Sequence, residues 1–193
     1  MYKRQGLHLA RQLYPESDMV FDFDQILCKR PQKTEAMFAW HSDIAYWPRT
    51  LDESTATISL ALDDANEENG CLRVVSGSHH EELRWHSPLS GKTGKNAREV
   101  GHALFCNVDA KDTIINLEVK RGSVTIHNER IVHGSGGNTS KDRLRRTYIV
   151  VFRPRATVAW ERARGFTHSH KSTFNWSEFH PWATSPPKNF KKD

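Results

Sequence analysis

The stretch Trp40-His41-Ser42-Asp43-Ile44-Ala45-Tyr46-Trp47-Pro48 carries an imidazole and a carboxylate two residues apart, at the end of a strand-like run. Side chains two apart on a β-strand point to the same face of the sheet. His41 and Asp43 would therefore converge on one point inside a barrel, which is a chelating geometry. The tripeptide alone is a weak signal, because a polar pair at a strand end looks the same. A third ligand is needed.

His133 offers that third ligand, within the run Ile131-Val132-His133-Gly134-Ser135-Gly136-Gly137-Asn138. The glycines after it let the backbone turn tightly and approach a ligand closely. Two histidines and one carboxylate form the facial triad of non-haem Fe(II) oxygenases, which leaves coordination positions open. His127 is the alternative third ligand, although the Gly-Ser-Gly context favours His133.

Short β-like stretches separated by glycine, proline and asparagine surround these residues. The eight candidate strands are 19–28, 36–46, 55–62, 71–75, 103–108, 113–117, 123–128 and 146–152. Apolar spacing over 6–13 predicts one short N-terminal helix, which ends before Pro15. Eight strands without long intervening helices predict a mainly β fold, a jelly roll or cupin-like barrel.

The 193 residues predict a single domain spanning 1–193, with a jelly-roll core at about 19–154 and a C-terminal extension at 155–193. A composition of 37% hydrophobic and 26% charged residues excludes a disordered, collagen-like or coiled-coil chain. The apolar runs are too short for a membrane span, which needs about 20 residues. The N-terminus lacks a signal peptide pattern. We therefore expect an intracellular, cytoplasmic protein without a membrane partner.

Basic residues are concentrated between Lys141 and Arg164, and this segment alone exceeds the net charge of +5. It could bind an anionic ligand, form a solvated face or contact nucleic acid. Nucleic acid is disfavoured, because some of these residues occupy strand positions and no aromatic-interleaved RNA motif appears. Within the segment Arg145 begins the final strand, and its guanidinium fork could hold a carboxylate through two hydrogen bonds.

Taken together, these motifs resemble the phytanoyl-CoA dioxygenase family over roughly 22–154. The resemblance rests on segments in the family's order, namely 29–31, 40–48, Leu62-Asp63-Asp64, Asn69-Gly70-Cys71-Leu72-Arg73-Val74-Val75-Ser76-Gly77-Ser78-His79, His133-Gly134-Ser135-Gly136, Asn138 and the arginine cluster. It implies a double-stranded β-helix that binds Fe(II) and 2-oxoglutarate. The implied activity is hydroxylation of a small organic substrate by dioxygen, with release of succinate and CO2.

By motif position, the resemblance makes His41, Asp43 and His133 the iron ligands. It makes Arg145 the partner of the distal carboxylate of 2-oxoglutarate, and Lys29 matches a lysine that the family places near this cosubstrate. One apparent extra residue, at Lys141, leaves Arg143 and Arg146 as alternative clamps. Ser42 stands where the family commonly has glutamine, and we expect it to point away from the metal.

About two dozen residues precede the first predicted strand, fewer than the family usually has. The chain is therefore either a minimal version or incomplete, and the alternative function is a catalytically silent jelly-roll module. The loop at 79–101 is expected to carry substrate specificity. His168-Ser169-His170 has chelating spacing, but it lies in a segment without strand character and is expected at the surface.

Overall fold

The computed structural model describes residues 2–50, 52–88, 104–168 and 173–175. The elements in these ranges are, in chain order, α1 (Tyr2–Leu13), β1 (Met19–Lys29), β2 (Phe38–His41), a 3-10 turn (Asp43–Tyr46), β3 (Ala56–Ala61), β4 (Leu72–Val75), a 3-10 turn (Ser78–His80), β5 (Ser87–Pro88), β6 (Leu104–Phe105), β7 (Ile114–Leu117), β8 (Val124–His127), β9 (His133–Ser135), β10 (Arg145–Pro154) and α2 (Arg155–Ala163). No helix within these ranges is both long and apolar enough to cross a membrane.

Eight of the described strands form two four-stranded antiparallel sheets. One has the order β1-β10-β3-β8 and the other β2-β9-β4-β7, while β5 and β6 form a separate pair. Residues from both sheets line one cavity between them. This arrangement is a double-stranded β-helix, so the predicted fold class, including the N-terminal helix, is confirmed.

Strand β3 shows how the sequence divides its residues between two environments. All six of its residues are buried. Ala56 and Ile58 pack in a hydrophobic cluster with Ala10 of α1 and Phe152 of β10. The alternate residues of β3 line the cavity on the opposite face, as the two-residue period of a strand requires. Helix α1 therefore covers the outside of the sheet whose inside faces the site.

The predicted strand at 36–46 is wrong beyond His41, because the chain leaves the strand there. The Ile44 amide donates to the Glu129 carbonyl at 3.1 Å, and the Ala45 amide donates to the Ser42 carbonyl at 3.1 Å. These bonds close a 3-10 turn that begins at Asp43. Asp43 is therefore presented by a turn, and not by the same strand face as His41.

Other elements differ from the predictions in length or were not predicted. Helix α1 begins at Tyr2, and the strand expected at 103–108 is reduced to Leu104–Phe105 in the described residues. Strand β9 was not predicted, because it has only three residues and two small side chains. Helix α2 was also not predicted, since its residues were read only as part of a basic segment. Most of the loop at 79–101 and all of the tail after 175 lie outside the described residues.

A buried ionic network joins α2 to the first and last strands. Arg153 is 1% exposed and contacts Glu161 at 2.7 Å and Asp22 at 3.3 Å. Arg162 and His168 also pair with Asp22. His168 is only 12% exposed and packs against this network, so the expected surface position is wrong for it. Ser169 and His170 lie outside the described residues.

The basic segment is largely paired with carboxylates. Besides Arg153 and Arg162, the paired side chains are Arg143 with Glu68, Arg146 with Asp63, and Arg155 with Asp18. Each pairing reduces the positive potential that a polyanion would meet. The described part of this segment is therefore a set of separate ion pairs and not one continuous unpaired basic face.

We predict that Arg153→Met destabilises the fold by about 3–5 kcal/mol, because it removes the fully buried cation that contacts both Asp22 and Glu161 and leaves the buried Glu161 carboxylate with only the more distant Arg162, at 3.8 Å. Arg155→Met is the matched control, since Arg155 pairs with Asp18 at the surface and should leave stability nearly unchanged. Urea unfolding followed by circular dichroism measures both. Equal effects of the two substitutions would contradict a stabilising role for the buried network.

Candidate metal centre

The structure brings His41, Asp43 and His133 together at the end of the short strand pair β2–β9. His41 and His133 face each other in register across this pair. The Nε2 atoms of His41 and His133 lie 3.7 Å and 3.6 Å from Oδ1 of Asp43. Three potential ligand atoms therefore surround one small volume, and these residues form a group with metal-ligand spacing.

The hydrogen bond at Nδ1 of each imidazole determines which ring nitrogen keeps a free lone pair. Nδ1 of His41 lies 2.7 Å from the Ala39 carbonyl oxygen, and Nδ1 of His133 lies 3.0 Å from the Ile131 carbonyl oxygen. A carbonyl oxygen only accepts hydrogen bonds, so each Nδ1 must carry the hydrogen and donate it. The Nε2 lone pairs are consequently directed to the Asp43 side, which is the tautomer a metal-binding histidine needs.

The charges at the site also suit a divalent cation. Burial, followed by the neighbouring His41, lowers the pKa of His133 to about 3, so its ring is neutral at pH 7. Burial alone would raise the pKa of Asp43, but interactions with the imidazoles of His133, His127 and His41 outweigh it and hold the pKa well below its usual value. Two imidazoles and one carboxylate form a donor set that fits Fe(II).

Ser42 anchors the backbone between two of these groups. Its amide donates to Nε2 of His86 at 2.9 Å, and its hydroxyl donates to the Arg130 carbonyl at 2.9 Å. The Ser42 side chain is fully buried and does not line the cavity. Ser42 is thus held by two residues that are distant in sequence, His86 at a separation of 44 positions and Arg130 at a separation of 88.

Sequence reasoning missed His86. Burial lowers the pKa of His86 to about 4, so its Nε2 is available as an acceptor at neutral pH. Its Nδ1 donates to the Arg84 carbonyl at 2.7 Å, which fixes the ring. No local pattern marks this histidine, because its role depends on a contact with the distant Ser42.

His127 lies beside the three-residue group. Its Nε2 is 3.6 Å from Oδ2 of Asp43, on the other carboxylate oxygen from the one that His41 and His133 approach. Its ring centroid is 4.6 Å from that of His133. The structure therefore brings both candidate third histidines to Asp43, on different oxygens.

The cavity beside this cluster has a volume of about 150 Å³. Apolar side chains such as Leu27, Leu72 and Ile149 form much of its wall. Its polar residues include Thr57, Thr147 and Arg145 in addition to His41, Asp43 and His133. A ligand in this space would meet a negative charge at Asp43 and a positive charge at Arg145.

Arg145 is 5% exposed and lines the cavity. Its Nε and Nη2 donate to the Gly70 carbonyl at 2.9 Å and 2.7 Å, and its Nη1 donates to the Thr147 hydroxyl at 3.1 Å. Arg143 and Arg146 instead lie at the surface and pair with acidic residues. Of the three arginines that sequence reasoning left open, only Arg145 borders the cavity.

Lys29 faces Arg145 in the register of β1 and β10. Its Nζ donates to the Ser135 hydroxyl at 2.6 Å and to the Gly136 carbonyl. Burial, together with the charges of Arg145 and Arg73, lowers the pKa of Lys29 to about 7. Within the described ranges, no carboxylate lies within 4 Å of Lys29 or Arg145. Two buried basic side chains without an acidic partner favour an anion beside them.

Another group with metal-ligand spacing consists of Asp22, Glu161 and His168. Arg153 and Arg162 already occupy its carboxylates. Their positive charges oppose the entry of a metal cation. This group is therefore a structural ion-pair network.

Residues 5–147 match the sequence profile of the family described as phytanoyl-CoA dioxygenase (PhyH). A probable alpha-ketoglutarate-dependent hypophosphite dioxygenase of Stutzerimonas stutzeri is 30% identical over 112 residues, which are 58% of this chain and 37% of that protein. L-Proline trans-4-hydroxylase of Streptomyces griseoviridis is 29% identical over 154 residues, covering 70% of this chain and 54% of that protein.

Among solved structures, EvdO2 of Micromonospora carbonacea var. aurantiaca in complex with 2-oxoglutarate is similar, with a TM-score of 0.63 and 25% identity. The match covers 77% of this chain and 58% of EvdO2. The chain thus spans less than two thirds of the length of these relatives. Because the family match extends over more than half of the chain, and includes His41, Asp43, His133 and Arg145, the protein belongs to the phytanoyl-CoA dioxygenase family.

Proposed function

We propose that this protein is an Fe(II)- and 2-oxoglutarate-dependent dioxygenase that hydroxylates a small organic substrate. The observation that carries the proposal is one cavity bordered by two groups of opposite character. His41, Asp43 and His133 offer a donor set for Fe(II), and Arg145 offers a buried guanidinium without a carboxylate partner among the described residues. A dicarboxylate cosubstrate that chelates a metal at one end and carries a charge at the other fits both groups.

The overall reaction is 2-oxoglutarate plus dioxygen plus a C–H bond of the substrate, giving succinate, CO2 and the C–OH product. One oxygen atom enters succinate and the other enters the product. Fe(II), when bound, would supply the oxidative chemistry that protein side chains lack. The relatives named above act in the same reaction class according to their descriptions.

The protein's own part is to bind, orient and desolvate. His41 and His133 would hold the metal through Nε2 while their Nδ1 atoms remain bonded to backbone carbonyls. Arg145 would hold the distal carboxylate, with its guanidinium already oriented by Gly70 and Thr147. Lys29 would add a second positive charge beside it. The apolar wall of the cavity would exclude water from the reacting groups.

We predict that the protein binds one Fe(II) per chain and that His133→Ala loses this binding, since it removes one of three ligands. Anaerobic Fe(II) with 2-oxoglutarate should give a weak visible charge-transfer band, and succinate should accumulate in air with a suitable substrate. His80→Ala, at an exposed histidine in the second 3-10 turn, is the control. A band in the His133→Ala protein would contradict the ligand assignment, and a band in the unaltered protein without any 2-oxoglutarate turnover would favour the silent module.

Arg145→Ala should weaken 2-oxoglutarate binding by about 2–5 kcal/mol, because the distal carboxylate would be buried without its cation. Arg145→Lys should weaken it less, because lysine keeps the charge and loses the fork. Arg143→Ala and Arg146→Ala are controls, and Fe(II) affinity should be nearly unchanged in all four variants. Titration of the charge-transfer band measures each effect. Normal 2-oxoglutarate binding by Arg145→Ala would refute its role as the clamp.

Lys29 should make 2-oxoglutarate binding depend on pH. Its pKa is about 7, and a bound carboxylate favours the protonated amine. The affinity should therefore be highest below pH 7 and should fall by up to about tenfold per pH unit as the pH rises above about 7. Lys29→Arg, which stays protonated, should flatten this profile. Lys33→Arg, at an exposed lysine, should not. A profile unchanged by Lys29→Arg would assign the dependence to another group.

A further inference from the structure

The two oxygens of the Asp43 carboxylate face different groups. Oδ1 faces the Nε2 atoms of His41 and His133, at 3.7 Å and 3.6 Å. Oδ2 faces the Thr57 hydroxyl at 3.5 Å and Nε2 of His127 at 3.6 Å. One oxygen is thus turned to the proposed metal ligands, and the other is turned to a pair of residues on the neighbouring sheet.

Thr57 and His127 are a directly opposed pair in the β3–β8 ladder, and both line the cavity. The His127 side chain is 8% exposed. Neither of its ring nitrogens has a hydrogen-bond partner among the described residues. Leaving a buried polar group unpaired destabilises the folded state. Asp43 Oδ2, a few tenths of an ångström beyond hydrogen-bond distance, is the carboxylate oxygen that could satisfy it.

We propose that His127 is a positioning residue, whose Nε2–H is directed at Oδ2 and keeps Asp43 a one-oxygen metal ligand. The inference rests on the proposed function. Two imidazoles and one carboxylate oxygen would hold Fe(II) and would leave its other coordination positions open for the cosubstrates. A carboxylate that turned to bind through both oxygens would occupy one of the positions that these molecules need.

His127 differs from His41 and His133 in the surroundings of its second ring nitrogen. A metal-binding histidine nearly always donates its other ring N–H to a carbonyl, carboxylate or water. His41 and His133 both do so through Nδ1. Nδ1 of His127 has no such partner in the described part of the chain. The geometry therefore separates two ligand histidines from a third that acts on the ligand carboxylate.

Two replacements test which nitrogen of His127 matters. The side-chain amide of glutamine can reach the place of Nε2, whereas the shorter amide of asparagine reaches only the place of Nδ1. Both donate N–H groups and neither carries charge. His127→Gln should therefore retain the interaction with Asp43, and His127→Asn and the apolar His127→Leu should lose it. His8→Gln, at an exposed position on α1, is the surface control.

The measurement is anaerobic titration with Fe(II), followed by 2-oxoglutarate, with the visible charge-transfer band as readout. All variants should bind one Fe(II) per chain. His127→Asn and His127→Leu should need at least roughly tenfold more 2-oxoglutarate for half-maximal band intensity, the scale typical of groups that support metal ligands. His127→Gln should stay within about threefold of the unaltered protein.

Equal behaviour of the Gln and Asn variants, or unaltered 2-oxoglutarate binding by Asn and Leu, would overturn the inference. Loss of Fe(II) binding in folded His127→Asn would make His127 a ligand and also overturn it. If the unaltered protein gives no band, the proposed function itself fails, which is a distinguishable result.

A second measurement needs no substitution. In the Zn(II)-loaded unaltered protein labelled with 15N-histidine, long-range 15N–1H spectra report the tautomer of each ring. We expect His127 to carry its hydrogen on Nε2, whereas His41 and His133 carry it on Nδ1. A hydrogen on Nδ1 of His127 would exclude donation to Asp43 and overturn the inference, even if every variant failed to fold.

Discussion

A carboxylate held among imidazoles is the arrangement on which the rest of this site depends. Asp43 is costly to bury alone, because an ionised carboxylate loses its hydration. The protein surrounds it with imidazole rings supplied by three strands, β2, β8 and β9. Strands from both sheets must meet for this to happen. The site is therefore a property of the closed barrel and not of any single segment.

The barrel also separates two kinds of charge. Asp43 lies where the chain leaves β2 for a 3-10 turn, whereas Arg145 and Lys29 lie where β10 begins and β1 ends. Residues near all three border one cavity whose remaining wall is mainly apolar. The low polarity of that wall strengthens the electrostatic interactions that a ligand would make with Asp43 and with Arg145 and Lys29, because few water dipoles screen them. The interior is thus preorganised for a ligand with a donor end and an anionic end.

The sequence predicted the fold class and brought together the residues whose chemistry is strongest. His41, Asp43 and His133 stand out because their types and the following glycines are unusual. The local geometry was not predicted, since Asp43 lies in a turn whose bonds go to Glu129 and Ser42. The role of His86, and the approach of His127 to the second carboxylate oxygen, could also not be predicted from the sequence. Their roles depend on partners 44 and 84 residues away, Ser42 and Asp43, which no local pattern reveals.

His168, in the C-terminal segment, packs against a residue that lines the cavity. Phe23 borders the cavity, and its ring stacks on His168 with centroids 3.9 Å apart. His168 is in turn held by Asp22 at 2.9 Å. At Phe23 the wall is therefore a single side chain thick, and His168 stands outside the region of the family match, which ends at 147. A change at His168, outside the family match, could thus alter the shape of the cavity while His41, Asp43 and His133 stay the same.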